Sequence, residues 1–70
     1  MTQGRIARLV PDREFGFIKA HGQEYFFHAS ELQGAAFEEL AEGSLVEFEP
    51  AIDPRAEGPR AERVQLANEA

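Results

Sequence analysis

Two short segments with alternating ring side chains constrain the fold of this chain more than any other feature. They are residues 13–18, with the sequence REFGFI, and residues 25–28, with the sequence YFFH. Side chains on a β-strand point alternately to opposite faces. If the two segments pair as a hairpin, one surface therefore carries four rings together: Phe15, Phe17, Phe26 and His28.

The opposite face of the same hairpin is predicted to be the core, since Ile18, Tyr25 and Phe27 point there. A small protein rarely exposes so many rings without a use for them. The flat faces of aromatic side chains on a sheet are what the bases of a single strand stack on. The alternation therefore predicts a base-stacking surface on the hairpin.

The size of the chain limits its organisation to a single domain. Its 70 residues bury only about 60% of the unfolded surface, so we expect one compact unit over residues 1–70. There is no cysteine to form a disulfide or a thiolate metal site, and no apolar run approaches the roughly 20 residues of a membrane span. We expect a cytoplasmic monomer that has no signal peptide, membrane segment or small-molecule cofactor.

Charge is distributed unevenly along the chain. The net charge is −6, which argues against strong phosphate binding by the protein as a whole. Residues 1–28 contain four basic and three acidic residues, whereas residues 29–70 contain three basic and ten acidic ones. The two aromatic segments thus lie in the only part that is not strongly acidic.

Strand and turn patterns predict an all-β domain. Five strands are expected, over Gly4–Val10, Glu14–Ala20, Glu24–Ala29, Ser44–Ala51 and Arg60–Ala67. Glycine and proline mark the connections, with short helical turns expected at 30–32 and 37–40 and loops over 33–43 and 52–59. The alternation places five further side chains inside: Ile6, Val46, Phe48, Val64 and Leu66. Such a set of strands favours a small antiparallel barrel, which leaves no exposed edge.

The aromatic segments resemble the two ribonucleoprotein motifs of the bacterial cold-shock domain family. The family's Lys-Gly-Phe-Gly-Phe-Ile is matched by residues 13–18, and its Val-Phe-Val-His-Phe by residues 25–29. The similarity continues through residues 40–43, 46–48 and 58–59, over nearly the whole chain. It implies a five-stranded antiparallel barrel of the oligonucleotide-binding (OB) fold, which binds single-stranded RNA or DNA, often as an RNA chaperone or transcription antiterminator.

The resemblance also implies a set of contact residues. The stacking positions of the family fall on Phe15, Phe17, Phe26, His28 and Phe37. Arg8, Arg13 and Lys19 are expected to contact phosphates or bases. An equally good interpretation of Phe37 is that its ring plugs the end of the barrel. For Arg13 and Lys19, the alternative is that they are solvated surface cations without a binding role.

Three departures from the family pattern predict weaker binding. The family's Lys-Trp-Phe on the first strand is replaced by Ala7-Arg8-Leu9, which puts Arg8 at the tryptophan position. Ala29 replaces a phenylalanine, and Glu14 replaces the glycine before the first ring. Each lost stack is worth about 1–3 kcal/mol. Arg8 offers partial compensation, because a guanidinium also stacks on bases.

Other interpretations of the polar residues find less support in the sequence. A metal site at His28 lacks further ligands, since the second histidine, His21, lies in a turn. Three arginines are expected to pair with nearby acids such as Glu57 and Glu62: Arg55, Arg60 and Arg63. No nucleophile–base pair or phosphate-binding loop indicates an enzyme.

Two functions remain open at this point. The first is a cold-shock-type protein that binds single strands on the aromatic surface and acts in gene regulation. The alternative is a barrel that has become a protein-interaction module, with weak or no nucleic acid binding, because acidic residues surround the aromatic patch.

Overall fold

The computed structural model describes residues 1–34, 36–52 and 58–67. Its strands are β1 (Thr2–Val10), β2 (Phe15–Ala20), β3 (Gln23–His28), β4 (Leu45–Ile52) and β5 (Pro59–Leu66). Single turns of 3₁₀ helix lie at Pro11–Arg13, Ala29–Glu31 and Phe37–Glu39. The predicted strands are confirmed with ends that shift by one or two residues. Residues 53–57 of the predicted 52–59 loop, and Ala35, lie outside the described residues.

The strands form a closed barrel in the order β1-β2-β3-β5-β4. This confirms the all-β OB-type barrel. The β1–β2, β2–β3, β1–β4 and β4–β5 pairs are antiparallel. The contact that closes the barrel, between β3 and β5, is parallel, and it pairs Phe26 with Arg60. Closure through this contact makes β5 a neighbour of the aromatic hairpin.

The interior is filled by apolar side chains from all five strands and the long connection. Ile18, Phe27, Val46, Phe48 and Val64 are completely buried. The remaining core members are Ile6, Ala20, Tyr25, Leu40 and Ala61. The predicted inward positions at Ile6, Val46, Phe48 and Val64 are confirmed.

The predicted burial of Leu66 is wrong, because its side chain is 40% exposed. A β-bulge in β5 changes the spacing of the buried positions. Glu47 pairs with Gln65 and Glu49 with Glu62, so two residues of β5 lie opposite one residue of β4. Val64 is part of this bulge and is buried three positions after the buried Ala61. Leu66 follows the bulge and pairs with the buried Val46, so it lies on the inward face. It is exposed because it is the last residue of β5, at the end of the barrel.

Gly16 permits close packing between the first three strands. A Cβ atom there would lie 2.8 Å from the Arg8 carbonyl oxygen and 2.9 Å from the Phe27 ring. The backbone of β1 and the Phe27 ring therefore approach Gly16 closely. Only glycine leaves room for Phe27 to fill the interior beneath β2.

The β2–β3 hairpin turns through two residues in the left-handed region. His21 has φ 53° and Gly22 has φ 75°, between the paired residues Ala20 and Gln23. Positive φ at both central residues is the signature of a type I′ turn, whose twist matches that of the flanking strands. This turn fixes the register of the hairpin and with it the face on which each ring lies.

We predict that Gly16→Ala lowers the free energy of unfolding by about 1–3 kcal/mol, the usual cost of overpacking a close contact. Chemical denaturation measures the change. Lys19→Ala, at an exposed position of the same strand, is the matched control, with a change of about 0.5 kcal/mol or less. An unchanged midpoint for Gly16→Ala would contradict the close packing.

Candidate nucleic-acid interface

The outward-facing rings of β2 and β3 form one continuous surface. Phe15 pairs with His28, and Phe17 pairs with Phe26. All four side chains are half-buried, and we call these four residues the aromatic platform. Their neighbours Ile18 and Phe27 are completely buried. The face assignment predicted from the alternation is therefore confirmed, whereas the role of these residues in binding stays a prediction.

The three phenylalanines of the platform contact one another directly. The Phe15 ring centroid lies 5.9 Å from that of Phe17 and 5.4 Å from that of Phe26. The Phe17 and Phe26 centroids are 5.9 Å apart, with an interplanar angle of 71°. These separations are those of favourable aromatic pairs. The rings hold each other in place and still present part of their surface to solvent.

His28 is held by the turn that follows β3. The Ser30 backbone N–H donates to His28 Nδ1 at 3.1 Å, and Ser30 Oγ lies 3.1 Å from the same nitrogen. This contact caps the 3₁₀ turn Ala29–Glu31. It fixes the orientation of the imidazole, so the fourth ring of the platform is positioned by the backbone of the next element.

Phe37 lies apart from the platform phenylalanines and against the core. Its half-buried ring has its centroid 6.3 Å from that of the buried Phe27. This packing is what a plug over the barrel end would make, and the exposed remainder of the ring stays available to a ligand. Both interpretations from the sequence therefore persist for this residue.

Arg8 is brought onto the platform by an irregularity in β1. The register shifts between Ile6 and Arg8, so that Arg8 pairs with Phe17. Its Cζ lies 4.7 Å from the Phe17 ring centroid, within the range of a cation–π contact. One guanidinium nitrogen is 3.9 Å from Glu24 Oε1, a solvent-exposed pair of little energetic weight.

Arg60 is the residue that sequence reasoning did not place at the site. It was expected to pair with nearby acids, yet its Cζ lies 5.5 Å from the Phe26 ring centroid. The parallel β3–β5 contact pairs Arg60 with Phe26 directly. The residue pattern of β5 gives no indication that Arg60 lies near Phe26. Only the position of β5 next to β3 in an OB-type barrel could have indicated it.

Arg63 takes a different partner from the acids near it in sequence. Its guanidinium donates to Glu49 Oε1 on the neighbouring strand at 3.2 Å, and its backbone N–H donates to Glu31 Oε1 at 3.4 Å. The expected pairing with Glu62 is therefore replaced by a cross-strand pair. Arg55 and Glu57, which belong to the same expectation, lie outside the described residues.

The strands around the platform are richer in cations than the protein as a whole. Lys19 is exposed, and in the strand register it lies opposite Arg5 of β1 and opposite Glu24 of β3. With Arg8 and Arg60, this gives four cations and the carboxylate of Glu24 on strand positions beside the rings. Arg13 is exposed in the 3₁₀ turn that precedes β2. A local cationic surface on an acidic protein can direct a polyanion to that surface.

Glu14 sits at the entry of β2 in a conformation that disfavours its residue type. It lies outside the strand rather than at its start, with φ 58° and ψ 42°. Its backbone is fixed by hydrogen bonds, since Glu14 N–H donates to Pro11 O and Glu14 O accepts from Ala29 N–H. The left-handed conformation costs a non-glycine residue about 1–2 kcal/mol, and the carboxylate adds negative charge next to Phe15.

The described residues contain neither a metal cluster nor a membrane-spanning helix. No group of three or more His, Asp or Glu side chains among them could hold a metal ion. Within residues 1–34, 36–52 and 58–67, no helix is long and apolar enough to cross a bilayer.

Replacing Glu14 with glycine should raise both stability and affinity for a polyanion. The left-handed strain is relieved, which we expect to add about 0.5–1 kcal/mol to the free energy of unfolding. Glu14→Ala is the matched variant, since it removes the same charge but keeps the strained backbone. Thermal unfolding and oligonucleotide titration separate the two effects. A Glu14→Gly protein that is less stable than the parent would refute the strain.

The comparisons with known proteins agree with this geometry. A family model described as the 'Cold-shock' DNA-binding domain matches residues 2–67. The chain is 38% identical over 65 residues to the cold shock-like protein CspLB of Listeria monocytogenes, covering 91% of this chain and 96% of the relative. It is 34% identical over 68 residues to the cold shock-like protein CspA of Bordetella pertussis, covering 94% and 98%.

A third relative, the cold shock-like protein CspD of Bacillus cereus, is 37% identical over 65 residues, covering 91% of this chain and 96% of the relative. The match of a family model to residues 2–67 leaves few residues outside it. The barrel order, the position of both aromatic motifs and these similarities lead to one conclusion: the chain belongs to the cold-shock domain family.

Proposed function

We propose that this protein binds single-stranded RNA or DNA by stacking bases on the aromatic platform. The observation that carries the proposal is the mutual contact of Phe15, Phe17 and Phe26 on the outer face of β2 and β3. A duplex keeps its bases stacked on each other, whereas a single strand can place them on protein rings. The membership of the chain in the cold-shock domain family supports the same function.

The cations beside the rings supply the second component of binding. We infer that Arg8, Arg13, Lys19 and Arg60 contact the backbone of a strand that lies across the platform. Base stacking tolerates any sequence, because every base has a π-face, and phosphate contacts make binding salt-dependent. His28 and Phe37 extend the surface at its margins.

The proposed cellular role is that of an RNA chaperone or transcription antiterminator. A protein that binds unpaired strands but not duplexes shifts the pairing equilibrium toward the unpaired state by mass action. Weak, sequence-tolerant binding suits this role, since a tight complex would block the strand it opens. We further propose that residues 1–70 act as one domain, as a monomer in the cytoplasm. Light scattering measures the molar mass in solution and so tests whether the protein is a monomer.

Loss of a platform ring should weaken binding without unfolding the barrel. We predict that Phe17→Ala and Phe26→Ala each raise the dissociation constant for a short pyrimidine-rich single strand by roughly 5- to 150-fold, the equivalent of one lost stack. Heteronuclear NMR titration at low salt measures this, and the perturbed amides should cluster on β2 and β3. Leu66→Ala, a truncated exposed side chain on β5, is the control for loss of apolar surface elsewhere.

The same titration tests the protein-interaction alternative. Shifts that fail to appear on β2 and β3 with any single strand would refute the proposal. If, in addition, a partner protein is recovered from cell extract after nuclease treatment, and is lost in Phe17→Ala, the platform is a protein-docking surface instead.

Salt dependence should report the cations at the platform. For single strands, the slope of log K against log salt concentration is about −0.7 per phosphate contact. We predict that Lys19→Gln makes this slope shallower by about 0.7 and leaves the folded state unchanged. Arg63→Gln, whose parent residue is paired with Glu49, is the control and should leave the slope unaltered. An equal slope for the Lys19 variant and the parent would exclude Lys19 from phosphate binding.

A further inference from the structure

Four residues on four adjacent strands form a row of successive strand pairs across the platform. Arg8 on β1 pairs with Phe17 on β2, Phe17 pairs with Phe26 on β3, and Phe26 pairs with Arg60 on β5. We call this the transverse row. Neighbouring strands lie about 4.8 Å apart, so its two arginines are roughly 14 Å apart around the barrel. Each end of a ring pair thus carries a guanidinium.

Each guanidinium in the row lies over the face of the neighbouring ring. Arg8 Cζ is 4.7 Å from the Phe17 centroid, and Arg60 Cζ is 5.5 Å from the Phe26 centroid. A guanidinium over a ring keeps its N–H groups in its own plane, directed outward from its rim. The third phenylalanine of the platform, Phe15, has its ring centroid 5.9 Å from that of Phe17 and 5.4 Å from that of Phe26. A base that stacks on Phe15 therefore has its edges beside both guanidinium groups.

The bonds already present leave donors available on Arg8. Its contact with Glu24 is 3.9 Å long and the Arg8 side chain is 63% exposed. A guanidinium carries five N–H donors, so one distant carboxylate occupies a small part of its capacity. A lysine in the same place would offer a point charge without the planar fork.

The edges of the bases differ in how well they fit such a fork. Guanine presents two adjacent acceptors, O6 and N7, which arginine binds in a bidentate manner. Adenine places a donor beside N7, and thymine presents the single acceptor O4 with a methyl group on that edge. In a single strand these edges are open to side chains. Among these bases, guanine alone offers a matched acceptor pair on that edge.

We propose that Arg8 and Arg60 are specificity-determining residues that make the platform prefer guanine to thymine or uracil. This inference rests on the proposed single-strand binding and goes beyond it, because stacking alone is tolerant of sequence. Phe15 supplies the ring on which the base stacks, and the transverse row supplies the guanidinium fork for its edge.

The test compares four single-stranded DNA probes of about eight nucleotides. The first is all thymine, and the others carry one central guanine, 7-deazaguanine or cytosine in the thymine background. We expect the guanine probe to bind roughly 5- to 150-fold more tightly than the all-thymine probe, the discrimination of a bidentate arginine–guanine pair. 7-Deazaguanine has the same stacking surface but lacks the N7 acceptor, so its advantage should largely disappear.

The variant Arg8→Lys/Arg60→Lys keeps both charges and removes both forks. The quantity compared is the ratio of the dissociation constants for the all-thymine and guanine probes, and we expect this preference for guanine to fall below about twofold. Arg63→Lys, on β5 and paired with Glu49, is the matched control and should retain the preference. Circular dichroism confirms that each variant is folded.

Several outcomes would overturn this inference and leave single-strand binding intact. They are equal affinity for the guanine and all-thymine probes, an undiminished advantage of 7-deazaguanine, an equal preference for cytosine, and a guanine preference that persists in the double lysine variant. Absence of binding to all four probes would instead overturn the proposed function, and the guanine preference with it.

Discussion

The packing of Phe27 against Gly16 is the contact on which the rest of the structure depends. Phe27 is completely buried, and no side chain larger than hydrogen fits at Gly16. This pair joins β2 to β3 inside the barrel and fixes the parity of both strands. Once Phe27 and Ile18 point inward, their neighbours Phe26 and Phe17 must point outward. Burial of the core residues of β2 and β3 therefore places the rings of the aromatic platform on the outer face of the same two strands.

Irregularities of the backbone decide which charged groups reach that surface. The register shift in β1 places Arg8 opposite Phe17, and the bulge in β5 keeps both Ala61 and Val64 in the core. Arg63, within the β5 bulge, and Glu14, just before β2, take left-handed conformations. Strained residues of this kind persist only where surrounding contacts hold them, and here hydrogen bonds to Pro11, Ala29 and Glu31 do so.

Arginine side chains occupy part of the surface that aromatic side chains occupy in the cold-shock domain motifs. Arg8 stands where the family motif has tryptophan, and Arg60 covers Phe26 from the far side. A guanidinium stacks like a ring, binds phosphate like a lysine and donates hydrogen bonds in a fixed fork. The net charge of −6 is compatible with nucleic acid binding because cations are concentrated beside the rings. A nucleic acid strand on the platform is affected mainly by the charges near it, since salt screens charges beyond about 8–10 Å.

The sequence by itself determined the five strands, the inward and outward faces of β2 and β3, and most of the core. It could do so because period-two alternation and turn residues act locally. Tertiary structure alone decided that Arg60 lies over Phe26, that Arg63 pairs with Glu49, and that Leu66 is exposed. Those outcomes depend on which strands become neighbours when the barrel closes and on where each strand ends relative to the barrel. Neither leaves a local pattern in the chain, because the residues concerned are brought together from distant positions.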